Sequence, residues 1–91
     1  MKEISDYKFS SNSWQLRELG FISGNKYKVV KEFKSVKSGD IIIFIGFEDT
    51  DNHFGRFVFK NEKGQLFEIS GDFCSNKHHL FVEIKNNIVE A

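Results

Sequence analysis

Five short runs of β-branched and aromatic residues, separated by turn signals, constrain the fold of this 91-residue chain more than any other feature. In the first run, Tyr27, Val29 and Phe33 alternate with mostly charged side chains, which is the pattern of a half-buried strand. The second run is apolar on both faces and predicts a central strand that is covered on both sides. The predicted strands cover residues 26–33, 41–47, 54–60, 65–70 and 80–84.

The connections between these strands favour a small barrel. Residues 34–38 form a polar link, residues 48–52 an acidic surface loop, and residues 61–64 a tight hairpin closed by a glycine. A single helical turn precedes the last strand. This order predicts an all-β (mainly β) fold, a small five-stranded SH3-like barrel with a short N-terminal helix, in which Gly46 and Gly55 allow sharp bends. A five-stranded OB-fold barrel is the structural alternative.

The length of the chain allows one domain. A short helix is predicted over residues 14–20, with Asn12 as its N-cap and Gly20 as a left-handed C-cap. Trp14 is expected to dock this helix onto the rest of the chain. The predicted organisation is an N-terminal arm over residues 1–23, the barrel over residues 24–85 and a frayed tail over residues 86–91.

Charge and hydropathy limit the functions that the chain can have. Thirteen Lys and Arg balance thirteen Asp and Glu to a net charge of zero, which argues against a dedicated binder of polyanions. No segment approaches the roughly 18 apolar residues of a membrane span, and the N-terminus has no apolar signal core. We therefore expect a cytoplasmic protein with no membrane partner, either a monomer or a weak oligomer. A single cysteine, Cys74, excludes an internal disulfide.

Gly24, Tyr27, Val29, Lys31 and Phe33 fit the pattern hydrophobic-x-x-Gly-x-x-Tyr-x-Val-x-Lys-x-Phe. In this the chain resembles a small bacterial family of uncharacterised SH3-like proteins. The resemblance extends over residues 21–33, 39–40 and 44–46, about a fifth of the chain. It implies the SH3-like fold, and because the family has no established activity it assigns no site residue. The aromatic signature of proline-binding eukaryotic SH3 domains is missing from the first strand.

Cys74, His78 and His79, together with His53 from elsewhere in the fold, are the combination that could bind a transition metal. Residues 75–77 have the composition of a turn, and adjacent histidines diverge on extended backbone, so we expect no metal site and no cofactor. The alternative is that Cys74 is a nucleophile with a histidine base. No phosphate loop, carboxylate pair or Ser-His-Asp pattern accompanies it. The sequence therefore predicts that the protein is not an enzyme.

The first function hypothesis is a protein-interaction module of the inhibitor, immunity or adaptor type, with an unidentified protein partner. The chain contains more aromatic residues than five short strands enclose, so some phenylalanines are expected on the surface, where they anchor interfaces. The acidic stretch beside them is expected to face a basic partner. The predicted contact residues are Asp49, Asp51, Phe54 and Phe73.

The alternative hypothesis is a small β-barrel that binds nucleic acid through lysines and an exposed phenylalanine. Lys26 and Lys28 are predicted to share one face of the first strand, whereas Lys31 falls on the other. The predicted nucleic-acid contacts are Lys26, Lys28, Lys31 and Lys34.

Overall fold

The computed structural model describes residues 4–10, 13–32, 36–51, 54–73, 75 and 77–91. Its elements, in chain order, are a 3-10 turn (Ile4–Asp6), α1 (Trp14–Leu19), β1 (Lys26–Val29), β2 (Ile41–Asp51), β3 (Phe54–Lys60), β4 (Leu66–Asp72), α2 (His79–Asn87) and β5 (Ile88–Glu90). Strands outweigh helices, so the predicted mainly β class is confirmed. Neither helix in this part of the chain has the length and apolar character needed to cross a membrane.

The strands form one antiparallel sheet in the order β4-β3-β2-β1-β5. Strands β1 to β4 follow one another as a meander, and α2 then returns the chain so that β5 pairs with β1. Strands β4 and β5 lie at opposite ends of this order, and no pairing joins them within the described residues. The sheet is not closed into a barrel, so the SH3-like barrel is not confirmed.

The core lies on one side of the sheet, here called the inner face, and is mainly aromatic. Ring centroids are 4.5 Å apart for Phe47 and Phe57 and 4.9 Å apart for Phe57 and Phe73, within the range of favourable ring pairs. Phe57 and Ile69 point inward, as the alternation predicts. The phenylalanines with less than 2% exposure in the described residues are Phe44, Phe47, Phe57, Phe59, Phe73 and Phe81.

The two glycines expected at bends have different roles. The register between β2 and β3 shifts between Phe44 and Gly46, so Gly46 lies at a bulge where the strand bends. Gly55 pairs with Gly71 of β4, and the register between β2 and β3 shifts beside it, between Asp49 and Asp51. A Cβ at Gly55 would also overlap the ring of Phe47, so close packing of the core requires a glycine there.

Helix α1 forms where it is predicted and is held by caps at both ends. Ser13 is the N-cap, its hydroxyl accepting the Leu16 N–H, whereas the predicted cap Asn12 lies outside the described residues. Gly20 has a φ of 71° and donates its N–H to the Leu16 carbonyl, which confirms the left-handed C-cap. Trp14 stacks on Phe81 at 5.5 Å, so the predicted docking is confirmed.

The prediction of a fifth strand at residues 80–84 is wrong, because these residues lie in α2. Leu80, Phe81 and Ile84 face the core at helical spacing, and Val82 between them is exposed. The predicted frayed tail, residues 86–91, contains the end of α2 and all of β5. The pattern of a short apolar run does not distinguish a helix from a strand. Here the buried residues recur with the period of a helix.

Strand β2 is longer than predicted and β1 is shorter. Residues 48–51, expected in a surface loop, continue β2 and pair with β3, because Glu48 lies opposite Arg56 and their charges compensate across the strands. β1 ends at Val29, and Phe33 lies outside the described residues. The hairpin at residues 61–64 is confirmed: Gly64 has a φ of 80° and donates its N–H to the Asn61 carbonyl at 3.0 Å.

Candidate functional site

The side of the sheet opposite the core, here called the outer face, carries the charged residues that bear on function. Alternation along β3 places Phe54, Arg56, Val58 and Lys60 on this face, since Phe57 and Phe59 point into the core. Three zones follow one another across it: a lysine-bearing end, a covered middle and the end next to the β2–β3 turn. Each zone is described in turn.

Residues 4–10, here called the N-terminal strap, cover the middle zone. Ser10 forms an antiparallel bridge with Phe47, its N–H donating to the Phe47 carbonyl at 2.8 Å. The Phe9 ring lies directly over Gly46: a Cβ built there would be 2.6 Å from Phe9 Cδ1. Because the strap covers this zone, Val58 is fully buried although it lies on the outer face.

A polar cluster joins the strap to the sheet. The Tyr7 hydroxyl donates to Glu68 Oε2 at 2.8 Å, and the Lys8 N–H donates to Glu48 Oε2 at 2.7 Å. Arg56 pairs with Glu48 and lies 3.5 Å from Glu68, so it bridges the two carboxylates. Burial raises the pKa of Tyr7 to about 12, and the hydrogen bond to the Glu68 carboxylate adds to this increase.

This cluster has a structural role. Tyr7 is neutral at ordinary pH and acts as a hydrogen-bond donor, while both carboxylates face a guanidinium. No buried side-chain nitrogen or oxygen of the described residues lacks a hydrogen-bond partner. The sequence assigned Glu48 to a solvated loop, but its 8% exposure and its contacts make it part of the strap's attachment. The acidic stretch therefore presents fewer free charges than predicted.

The end of the sheet next to the β2–β3 turn holds the predicted protein-contact residues. Phe54 is 54% exposed and borders a groove of about 280 Å³ on β3 and β4, which Ser70 also lines. Asp49 is exposed one strand away, opposite Gly55. The backbone of Asp51 pairs with Phe54, and its side chain lies outside the described part of the structure.

Phe73, the fourth predicted contact residue, is not on the surface. Its ring is fully buried between Phe47 and Phe57, and its carbonyl accepts a hydrogen bond from Gln15 Nε2 at 3.2 Å. The prediction is wrong because α1 and α2 both cover this end of β4. The predicted fold of five strands included no helix after β4 that would bury Phe73. Phe73 therefore cannot anchor a partner.

The opposite end of the outer face carries lysines, as predicted for Lys26 and Lys28. Across the sheet Lys26 lies opposite Ile43, which lies opposite Lys60. These three residues and their outward-facing neighbours are here called the lysine face. A groove of about 500 Å³ runs along it beside the β3–β4 hairpin. The face comprises Lys26, Lys28, Ile41, Ile43, Lys60 and Val89.

Two of the predicted nucleic-acid contacts do not belong to this face. Lys31 is exposed beyond the end of β1, beside a cleft between β1 and α2, and Lys34 lies outside the described residues. The sequence did not associate Lys60 with Lys26 and Lys28, because that association depends on the register of three strands. The signal available was the outward position of Lys60 in the alternation of β3.

The histidines considered as metal ligands have local contacts. His78 is the N-cap of α2, its Nδ1 accepting the Leu80 N–H at 3.3 Å, and its ring lies 4.4 Å from that of His79. Cys74 and His53 lie outside the described residues. Among the residues that are described, no three His, Cys, Asp or Glu side chains are grouped to hold a metal ion. The absence of a metal site stays a prediction.

Comparison with known proteins adds no relative. No protein-family model, curated protein or solved structure matches the chain.

Proposed function

We propose that this chain is a non-enzymatic protein-interaction module whose partner contacts the end of the sheet next to the β2–β3 turn. The observation that carries the proposal is the 54% exposure of Phe54 at the border of a groove. Large aromatic side chains are enriched among residues that dominate binding energy at protein interfaces. Almost every other phenylalanine of the sheet is buried, so this ring is an exception to the way the fold uses the residue.

The charges around Phe54 favour a partner with a basic or hydrogen-bonding surface. Asp49 is exposed at the same end of the sheet, opposite Gly55, and the backbone of Asp51 pairs with Phe54. Arg56 and Glu68 form the far wall of the groove and are held by one another. An exposed ring next to a fixed polar wall is the arrangement of an anchor with a polar rim. Such a module fits an inhibitor, an immunity-type protein or an adaptor.

The test is capture of a partner from lysate by the immobilised chain, with proteins quantified by mass spectrometry. We expect Phe54→Ser to reduce the enrichment of the partner more than tenfold, since a hot-spot residue contributes about 2 kcal/mol or more. Val82→Ser is the matched control, because Val82 is also an exposed apolar residue but lies on α2. Equal capture by the natural chain and by Phe54→Ser would remove this ring from the interface.

Charge reversal tests the acidic part of the contact. Asp49→Lys and Asp51→Lys are expected to reduce capture, whereas Glu32→Lys, an equal change at an exposed residue near α2, is expected to leave it intact. If both aspartate variants capture the partner at the level of the natural chain, the end of β2 that carries Asp49 and Asp51 makes no contact with the partner.

The proposal extends to the fold family and to the location. We infer an SH3-like fold, supported by the four-strand meander and by the return of β5 to β1, with a sheet that stays open between β4 and β5. The cytoplasm is the proposed location. Nucleic-acid binding takes second place, because the lysine face carries no aromatic ring among its described residues on which a base would stack.

A further inference from the structure

The lysine face differs from the middle zone of the outer face because the strap does not cover it. Lys26, Ile43 and Lys60 form a row across three strands, and Lys28 and Ile41 form the next row. Strands about 4.8 Å apart place the Cα atoms of Lys26 and Lys60 about 10 Å from each other, with the isoleucine between them. The two rows are about 7 Å apart along the strands. Cationic and apolar groups thus alternate over this surface.

The lysines of this surface are not held in ion pairs within the described part of the fold. No ion pair of the described residues involves Lys26, Lys28 or Lys60. Glu62 lines the groove, and its carboxylate accepts the Ile41 N–H at 3.2 Å. Glu90 alternates to the opposite side of β5 from Val89, which faces outward beside Lys28. Three cations therefore surround two half-buried isoleucines, and the carboxylates of Asp40 and Glu62 lie beside Ile41.

The neighbouring zone shows that this sheet face accepts polypeptide. The strap lies on β2 three to four positions beyond Ile43, where the Phe9 ring packs on Gly46 and Ser10 pairs with Phe47. It is attached by its own N–H groups and by apolar packing, and the isoleucines of the lysine face offer a second segment the same kind of apolar contact. A nucleic acid would find the cations but no aromatic ring for its bases.

We propose that the lysine face binds an acidic polypeptide segment that also carries apolar side chains. Carboxylates of the partner pair with Lys26, Lys28 and Lys60, and its apolar side chains cover Ile41 and Ile43. Complementary charge sets the choice of partner, and the isoleucines add the apolar contact that distinguishes this site from a bare cationic patch. The site is separate from Phe54 and adds a second contact surface to the module proposed above.

The test is titration of the nitrogen-15-labelled chain, followed by two-dimensional NMR, with short synthetic peptides in which Glu alternates with Leu or with Ser. We expect the Glu-Leu peptide to shift amide signals of the lysine face. Lys28→Glu is expected to weaken its binding about three- to tenfold, and Lys77→Glu, the same change at an exposed lysine before α2, to leave it within about twofold. Added salt is expected to weaken binding.

Three results would overturn the proposal. The first is the absence of amide shifts on the lysine face with the Glu-Leu peptide. The second is equal binding of the Glu-Ser peptide, which would reduce the site to an attraction between charges. The third is tighter binding of a short oligothymidine at the same signals, which would assign the face to nucleic acid. Phe54→Ser is expected to bind the Glu-Leu peptide normally, so the failure of one proposal is distinguishable from the failure of the other.

Discussion

Replacing Gly46 by alanine inserts a methyl group where the Phe9 ring packs against β2. The added Cβ would lie 2.6, 2.8 and 3.1 Å from three ring carbons of Phe9. Carbon atoms in contact prefer a separation of about 3.5–4.0 Å, so the ring must retreat by about 1 Å. Gly46 is itself buried at the β2 bulge, and the strand offers the methyl group no other direction.

Two limits set the size of the effect. If the ring shifts and the strap stays in place, overpacking of this kind costs about 1–3 kcal/mol. If the strap detaches, the hydrogen bonds from Ser10, Lys8 and Tyr7 to the sheet are lost, at about 1 kcal/mol each. The two limits give a destabilisation of about 2–3 kcal/mol, which lowers the Tm of a chain of this size by about 10–20 °C.

The assay is urea unfolding of Gly46→Ala, Phe9→Ala and the double variant. Without the Phe9 ring the methyl group has room, so the Gly46→Ala change is expected to cost less than about 0.5 kcal/mol in the Phe9→Ala background. The cycle should therefore show a coupling of at least about 1 kcal/mol. Additive effects of the two changes would refute the packing of the strap on Gly46, and with it the division of the outer face into covered and bare zones.

Other variants test the buried charges and the placement of the phenylalanines. Glu48→Gln is expected to lower the free energy of unfolding by about 1.5–3 kcal/mol, whereas Glu18→Gln, in an exposed pair, should change it by less than about 1 kcal/mol. Phe73→Ala is expected to cost about 3–5 kcal/mol and Phe54→Ala less than about 1 kcal/mol, both from denaturant midpoints. The pKa of Tyr7 is about 12 in the folded chain against about 10 in the unfolded chain, so the free energy of unfolding falls as pH rises through this interval. Urea midpoints of Tyr7→Phe should fall less over the same interval than those of the natural chain.

Local signals in the sequence were sufficient for the central part of the sheet. Strands β2, β3 and β4 begin within about one residue of the predicted positions, because β-branched and aromatic residues alternate there and Gly64 marks the hairpin. The caps of α1 carry a comparable signal at Gly20. These features depend on residues close to one another in the chain, which is why they could be predicted.

Features that depend on distant pairs could not be predicted. Glu48 is half of a cross-strand pair with Arg56, and its burial becomes visible only when the register of β2 and β3 is known. The strap has no regular hydrophobic period that would predict it. The close packing of Phe9 on Gly46 is visible only once the strap is placed on the sheet. The prediction that Phe73 is exposed is wrong for the same reason, because the helices that cover it come from opposite ends of the chain.

If Phe54 anchors the partner, binding covers this ring while the buried aromatic core stays untouched. Hydroxyl-radical footprinting, with oxidation quantified by mass spectrometry, measures the exposure of individual side chains in the free chain and in the captured complex. In the free chain Phe54 should be oxidised and Phe73 protected. Partner binding is expected to suppress oxidation of Phe54 and to leave the exposed Val82 on α2 unchanged. Unchanged oxidation of Phe54 in the complex, with new protection at Val82, would contradict the claim.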